Sequence, residues 1–568
     1  MRAPFYIAAG GGASNNQEGF PGNRPMAEKS NAAAGGGVQY SSDDLQDLVA
    51  SSDTGARDPS GITGYIIAAV ALCWSLFQLY IASPLPYTLS SLTGLPLVLN
   101  QAESRAIHLA FGLFLAFMAF PAFARSPRER VPAFDWILAL LAAGCALYVF
   151  IFYHELARRP GLPITQDLVV AGLGMILLLE ATRRALGPPL VIVGLVFLAY
   201  VFFGSSPMLP DILRWGGASF DRAMDQMWLS PNGVFGVALG VSSAFVFLFV
   251  LFGSMLDRAG AGNFFIKLAF ALLGHMRGGP AKAAVLASMM TGVISGSSIA
   301  NVVTTGTFTI PLMKRVGFTP EKAGSVEVAS SVNGQIMPPV MGAAAFLMVE
   351  YVGISYLEVV KHAFLPAVIS YIALLYVVHL EAVRQDMPVL EKAQTRPATA
   401  ALLRVGITVA SILILAGAIY YGIALVRYLL PGISAPVLVL ALLAIYVMLI
   451  WYAAQAPDLE LDDPESPVVE LPIATEVLKT GMHYLLPLVV LIWFLMIERA
   501  SPGLSAFYAV LVLIFMMVTQ KPLKALFRGV QSSEWRAAFI EGLGDLLAGL
   551  ITGARNMIGI ACATATAG

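Results

Sequence analysis

The sequence predicts an all-α integral membrane protein, a polytopic helix bundle, and three observations carry that reading. Of 568 residues, 58% are hydrophobic and only 12% charged, and mean hydropathy is +0.76. A soluble chain carries about a quarter charged residues and needs polar cover for its surface, which this composition cannot supply. Apolar runs of about 20 residues, the length that crosses a bilayer, recur from Ile62 onward. Two further runs are interrupted at mid-length by Gly, Ser, Asn and Pro.

The first 60 residues differ in composition. GGGASNN, AAAGGG and SSDDLQDLVASSD are small, polar and acidic, too poor in apolar side chains to fold, and predict a disordered tail over 1–60. No apolar stretch follows Arg2, so no secretory signal is read there. Met26 (MAEKSN) is a second candidate start, which leaves the native status of residues 1–25 open.

Spans are expected over 62–82, 106–124, 134–153, 167–182, 189–204, 233–256, 359–380, 405–426, 435–453, 482–498 and 504–519. The stretch 263–275 is too short to cross and carries Lys267, so it is expected to be an interfacial amphipathic arm. Gly236-x-x-x-Gly240 is a small-residue face that suits helix packing. Residues 537–552 place Glu541 and Asp545 on one face and predict an amphipathic helix at the cytoplasmic surface. A last span would then start at Met557, leaving only about 18 Å of helix before Gly568. The chain is therefore expected to be truncated, and residues 1–568 alone to show no transport.

Lys and Arg in short loops set the orientation. Arg125, Arg128 and Arg130, then Arg183 and Arg184, then Lys314, Arg315 and Lys322 fall on one side if the tail is cytoplasmic. Arg384, Lys392, Arg396 and Arg404, and Lys521, Lys524, Arg528 and Arg536, join them. Arg158 and Arg159 dissent. The acidic loop 458–476 comes out cytoplasmic, which the rule permits.

The first interrupted stretch is 281–316. Its middle carries Ser295, Ser297, Ser298, Asn301, Thr304 and Thr305, with Gly292 and Gly296 loosening the helix, and basic residues stand at both ends. Like charge at both ends predicts a hairpin that enters and leaves on one side. A single helix with Ser and Thr bonded back to i−4 carbonyls fits the same residues.

The second stretch is 320–353, centred on Asn333, Gly334, Gln335, Pro338 and Pro339. Pro338 cannot donate to the Gly334 carbonyl, nor Pro339 to that of Gln335, so two neighbouring carbonyls are expected to be free. Free carbonyls are ligands for a hard cation such as Na⁺, and the helix that restarts offers its N-terminus to an anion. Broken helices in secondary transporters use this pairing. Ser295, Asn301, Gly334 and Gln335 are the expected Na⁺ ligands, because such a cation takes several oxygens that no single helix presents. Glu327 and Glu350 flank the break as further acidic candidates.

Other chemistries are excluded. Lys+Arg (34) balance Asp+Glu (35), so nothing suggests nucleic-acid binding. Cys73, Cys145 and Cys562 lie far apart, and the six histidines show no ligand spacing. P-loop, HExxH and GxSxG motifs are missing. No catalytic residues and no cofactor are expected, and the chain reads as a transporter subunit and not an enzyme. A channel, or an ion-coupled transporter that works without a binding protein, is the alternative reading.

Three stretches, GAGNFFIKLAFALLGHMRGGPAKAA (260–284), SGSSIANVVTTGTFTIPLMKRVGFTPEKAG (295–324) and VEVASSVNGQIMPPVMGAAAFLMVEYVGISY (326–356), resemble the large (DctM-like) permease of tripartite ATP-independent periplasmic (TRAP) transporters. The chain is most similar to fused permeases that work with a TAXI-type binding protein. The resemblance implies small-subunit-like helices over 61–205, a periplasmic loop at 206–232 and an incomplete large permease over 233–568. It implies an inverted-repeat elevator fold, with 281–316 as the first hairpin, 320–353 as the broken helix and the second repeat incomplete. It further implies Na⁺-coupled import of organic acids, C4-dicarboxylates among the candidates, through a bacterial inner membrane with a cytoplasmic N-terminus. The periplasmic partner would dock on 83–105 and 206–232, where Asp211, Arg214, Asp221, Arg222 and Asp225 are candidate rim charges.

Overall fold

The computed structural model describes residues 57, 59–123, 125–296, 298–338, 340–387, 389, 398–459 and 471–568. The N-terminal helices are α1 (Ile62–Ala82), α2 (Leu85–Thr93), α3 (Gln101–Ala119), α4 (Ala133–Ile151), α5 (Tyr153–Arg158), α6 (Thr165–Leu186) and α7 (Pro188–Phe203). A connection holding α8 (Phe220–Met224) leads to α9 (Val237–Val241), α10 (Phe247–Arg258) and α11 (Ala261–Leu273). Next come α12 (Gly279–Ser295), α13 (Ser298–Arg315), α14 (Pro320–Gly334), α15 (Ala343–Val352) and α16 (Tyr356–Arg384). The last group is α17 (Ala398–Leu429), α18 (Ser434–Ala454), α19 (Ala474–Gly481), α20 (Leu485–Ile492), α21 (Pro502–Phe527) and α22 (Ser532–Ala567). Among the described residues, 9 helices or helix runs are long and apolar enough to cross a membrane, so the protein is a polytopic helical membrane protein.

Most spans lie where apolar length demands them. The run expected over 233–256 is Val237–Arg258, with a π-turn at Ser242–Val246 between α9 and α10. Polar caps set several starts. At α3, Asn100 Oδ1 accepts from the Glu103 N–H at 2.9 Å, and Glu103 accepts from the Asn100 N–H at 2.8 Å. Thr319, Ser355 and Ser501 cap α14, α16 and α21 by a single bond each, accepting from the Lys322, Glu358 and Leu504 N–H.

Three expectations need correction. Residues 537–552 and the span from Met557 are one unbroken helix, α22, whose 36 residues run roughly 54 Å at about 1.5 Å each. Glu541 and Asp545, which suggested a surface helix, are both ion-paired to Lys521 on α21. The arm expected at 263–275 is α11. It is packed into protein around most of its circumference, against α12 and α19, with Phe264, Phe265, Ile266, Ala269 and Phe270 buried. Finally Arg57, within the stretch read as tail, is buried: its Nη2 donates to Asp135 at 2.6 Å and its N–H to the Ala119 carbonyl at 2.7 Å. Residues 1–56 and 58 lie outside the described residues.

α22 is the organising element. It packs on α1, α3 and α6 on one side and on α10 and α21 on the other, so it joins the N-terminal helices to the rest. Small residues make this close fit. A Cβ on Gly553 would come within 2.6 Å of the Leu251 side chain, and one on Gly112 of α3 within 3.1 Å of the Ala561 methyl. Ser75 of α1 donates to the Leu550 carbonyl at 2.7 Å, closing the seam.

Several basic loops expected on one face are tied to acidic neighbours there. Arg277 reaches Asp386 at 3.4 Å, Arg528 reaches Asp458 at 2.6 Å, and Lys322 pairs with Glu381. Of the dissenting pair, Arg159 is bonded to Asp167 of its own helix hairpin at 2.9 Å.

Candidate functional site

The stretch 281–316 forms two helices and not one. α12 ends at Ser295, the chain turns through Gly296 at φ 62°, and α13 restarts at Ser298 and packs back along α12. Glycine takes this left-handed conformation without the Cβ penalty other residues incur. Ser297 lies outside the described residues, as does the side chain of Ser295.

The second break faces that turn. α14 stops at Gly334, residues 335–338 and 340–342 are non-helical, and α15 resumes at Ala343. α14 lies so close to α12 that a Cβ on Gly292 would come within 2.8 Å of Gly334 Cα, and one on Gly334 within 2.9 Å of Gly292 Cα. Only two glycines permit this approach. The two tips meet through side chains as well: Gln335 Nε2 donates to Ser298 Oγ at 2.9 Å. Buried Met341 sits at φ 52°, uncommon for a residue with a side chain, and turns the chain back toward Gly296.

The two carbonyls expected to be free are not. The Gly334 carbonyl accepts from the Met337 N–H at 3.2 Å, and the Gln335 carbonyl from the Gly342 N–H at 2.7 Å. The described residues of the break fold as short turns that supply other donors to both carbonyls. Each oxygen keeps a second lone pair, so both retain acceptor capacity. Pro338 occupies the turn, and Pro339 lies outside the described residues. Asn333 is half-buried and its carbonyl accepts from the Ile336 N–H at 3.2 Å.

The candidate residues thus divide. Ser298, Gly334 and Gln335 gather at the meeting tips and present only oxygen and amide groups, the donor set a hard cation takes. Asn301 and Thr305 belong to a second, deeper cluster. Asn301 Nδ2 donates to the Ser288 carbonyl and to Ser288 Oγ, both at 2.9 Å, while its Oδ1 accepts from Thr291 at 2.5 Å. Ser288 Oγ lies 2.9 Å from Ser331 Oγ, and Ser331 is 3.5 Å from Glu327 Oε1. Thr305 also bonds Glu327 Oε1, and Thr309 Oγ1 bonds Oε2 at 2.6 Å. Glu327 is fully buried. Thr304 is half-buried beside them, its carbonyl accepting from Thr307 at 3.1 Å.

Sequence reading missed Ser288, Thr291, Thr309 and Ser331. The available signal was hydroxyls four residues apart, Thr305 with Thr309, and Ser331 four after Glu327, which align along one helix face. Glu350 is exposed and takes no part in the cluster. Asp211 and Arg214 pair with each other at 3.0 Å in an exposed loop that also bares Met208 and Ile212.

Comparison with known proteins places this site in a family context. Residues 173–443, which include both breaks, match the model of the tripartite ATP-independent periplasmic transporter, DctM component. Protein YgiK of Salmonella typhimurium is 30% identical over 148 residues, 26% of this chain and 34% of that protein. The C4-dicarboxylate TRAP transporter large permease protein DctM of Pseudomonas aeruginosa is 28% identical over 177 residues, 31% of this chain and 40% of that one. Its namesake in Vibrio cholerae is 26% identical over 208 residues, 35% and 45% of the two chains. The chain therefore spans less than half the length of these relatives. Residues 173–443, just under half of the chain and including both breaks, are thus similar to the DctM component of tripartite ATP-independent periplasmic transporters.

Proposed function

We propose that the chain is the membrane permease component of a TRAP-type secondary transporter. It imports organic acids, carboxylates in class, handed over by a periplasmic binding protein of the TAXI type, with Na⁺ as the coupling ion. The observation that carries the reading is the meeting of two helix interruptions: the Gly296 turn of the α12–α13 hairpin against the 335–342 break after α14, joined by Gln335 and Ser298. Such breaks place backbone oxygens and helix ends inside a membrane bundle, where only protein or an enclosed ligand satisfies them. Ser298, the carbonyls of Gly334 and Gln335 and, deeper, Asn301 are the oxygens that would hold Na⁺, and the start of α15 would face the substrate carboxylate.

In this reading residues 61–205 act as the small-subunit-like part, 206–232 as the docking loop, and the N-terminus is cytoplasmic in a bacterial inner membrane. Family kinship supports it, since relatives in the match are named for transport of C4-dicarboxylates, 2,3-diketo-L-gulonate and sialic acid. Uptake of labelled organic acids into proteoliposomes, with and without a Na⁺ gradient and with and without periplasmic extract, tests it. Uptake that needs both supports the proposal, and uptake indifferent to both defeats it.

A further inference from the structure

The deeper cluster has a hydrogen count that the cation reading does not use. Asn301 Nδ2 carries only donors, so Ser288 Oγ accepts from it and sends its own proton on to Ser331 Oγ, 2.9 Å away. Ser331 in turn donates to Glu327 Oε1. A directional chain therefore runs Thr291, Asn301, Ser288, Ser331, Glu327, from the hairpin to a buried carboxylate. On its other side Glu327 meets two hydroxyls that each have one proton and two acceptors in reach. Thr309 Oγ1 lies 2.6 Å from Glu327 Oε2 and 3.0 Å from the Thr305 carbonyl. Thr305 Oγ1 lies 2.7 Å from the Asn301 carbonyl and also bonds Glu327.

This is a pocket with two settings. With Glu327 ionised, the threonine protons point at the carboxylate. When Glu327 gains a proton, its new O–H donates to Thr309 Oγ1, and the Thr309 proton turns to the Thr305 carbonyl. No atom is left unpaired in either setting. The Thr309 oxygen lies too close to the carboxylate for a metal ion to sit between them, and the gap suits a proton. The cage is built for this side chain, since a Cβ on Gly306 would come within 3.1 Å of Glu327 Cγ.

The helices packed on α14 are α12, α13 and α16. From α16, Tyr371 faces the neighbouring turn and donates to the Ser330 carbonyl at 3.0 Å. Lys282 of α12 and His379 of α16 face each other at 3.0 Å, and Lys322 is held by Glu381. Lys314 and Arg315 stand in the last turn of α13. Among the described residues the contacts to the Glu327 carboxylate are hydroxyls, with no ion pair.

We infer that Glu327 is a proton-binding site, distinct from the oxygens at the helix break, and that its charge state is relayed to the hairpin through Ser331, Ser288 and Asn301. As a coupling device it rests on the transport reading; as a proton site it stands alone.

The test is infrared titration of the full chain in liposomes, following the carbonyl stretch of a protonated carboxylic acid. A band that rises as pH falls, is missing in Glu327→Gln and moves in Thr309→Val is the expected result. A band unchanged in both variants overturns the site. If Glu327→Gln does not fold, the Thr309→Val shift decides alone, and an unmoved band overturns it. Na⁺ binding is measured on the same vesicles. A Glu327 band without saturable Na⁺ binding defeats the Na⁺-coupled permease reading and leaves the proton site, whereas Na⁺ binding without a Glu327 band defeats the proton site and leaves the permease.

Discussion

The seam around α22 and the contact between the two helix breaks solve the same packing problem with different means. Both bring helices into close approach through glycine. At the seam itself polar side chains meet in scattered single bonds, Thr182 with Thr566 at 2.7 Å and Asn556 with Ser254 at 3.1 Å, and the N-terminal helices beside it are braced by paired charges. Asp135 lies between Arg57 at 2.6 Å and Arg184 at 2.8 Å, and Arg184 also holds Glu180. At the breaks, the groups among the described residues are hydroxyls, amides and backbone, with one carboxylate and no countercharge bonded to it. Charge pairs lock a geometry, because separating them strands buried ions. Hydroxyls can exchange partners by rotating, at small cost. The difference marks the charge-braced N-terminal side of the seam as a fixed joint and the breaks as the place where hydrogen-bond partners can change.

The largest effect should follow from breaking the joint. Asp135→Ala leaves the Arg57 guanidinium, with a side chain 0% exposed, without its carboxylate, and Arg184 with Glu180 alone. Losing one partner of a buried ion pair costs about 3–5 kcal/mol. The expected result is a sharp loss of folded protein in detergent, read by size-exclusion yield and thermal unfolding. Whatever folds should keep its Na⁺ dependence unchanged, since the breaks are untouched. A normal yield would show that the seam is not the joint described.

At the breaks, Gly334→Ala should act by crowding. Its methyl would lie 2.9 Å from Gly292 Cα, which is backbone and cannot swing aside. Overpacking of this kind costs about 1–3 kcal/mol. Gly324, on the same helix with nothing within 4 Å, is the control. Gly324→Ala should be neutral or stabilise by about 0.5–1 kcal/mol, through the lower entropy of the unfolded chain. Equal behaviour of the two variants would remove the argument that α12 and α14 must touch.

Gln335→Ala is a gentler probe of the same contact. It deletes the hydrogen bond to Ser298 that joins the tips. A net hydrogen bond is worth about 1 kcal/mol, or roughly a fivefold change in an equilibrium constant. The Na⁺ concentration for half-maximal binding should rise by that order, with protein yield intact. An unaltered Na⁺ response at normal yield would separate Gln335 from ion binding.

How much of this was legible beforehand follows from where the determinants sit. Spans were legible because lipid demands a run of apolar residues that is local in sequence. The Gly296 turn was also local. The rest depended on distant partners. α11 is short and carries Lys267, which reads as an arm only until the helices that bury it are known. Glu541 and Asp545 signalled a surface because their partner Lys521 is on another helix. The carbonyls beside Pro338 looked free because proline removes specific donors, but the turn supplies Met337 and Gly342 instead. The Glu327 cage draws on α12, α13 and α14 at once, and no spacing within one helix announces that.

The smallest effect should come from pH acting outside the membrane. Asp458 accepts hydrogen bonds from Arg528, and this, with the nearby Lys524 charge, holds its carboxyl below the ordinary carboxylate range. Because the folded-state value is depressed, the pair stabilises the protein above the ordinary aspartate value, about pH 4. That contribution is lost as pH falls through the lowered folded value. The Asp458 side chain is 64% exposed, so the pair is screened by water. An exposed pair of this kind contributes on the order of 0.5 kcal/mol and weakens with salt. Asp458→Asn should therefore lower thermal stability slightly at neutral pH, and wild type and variant should converge as the buffer is acidified. Unfolding curves of both proteins across an acid series, at low and high salt, measure this. A difference that persists into acid, or that salt does not reduce, would mean Asp458 acts by packing and not by charge.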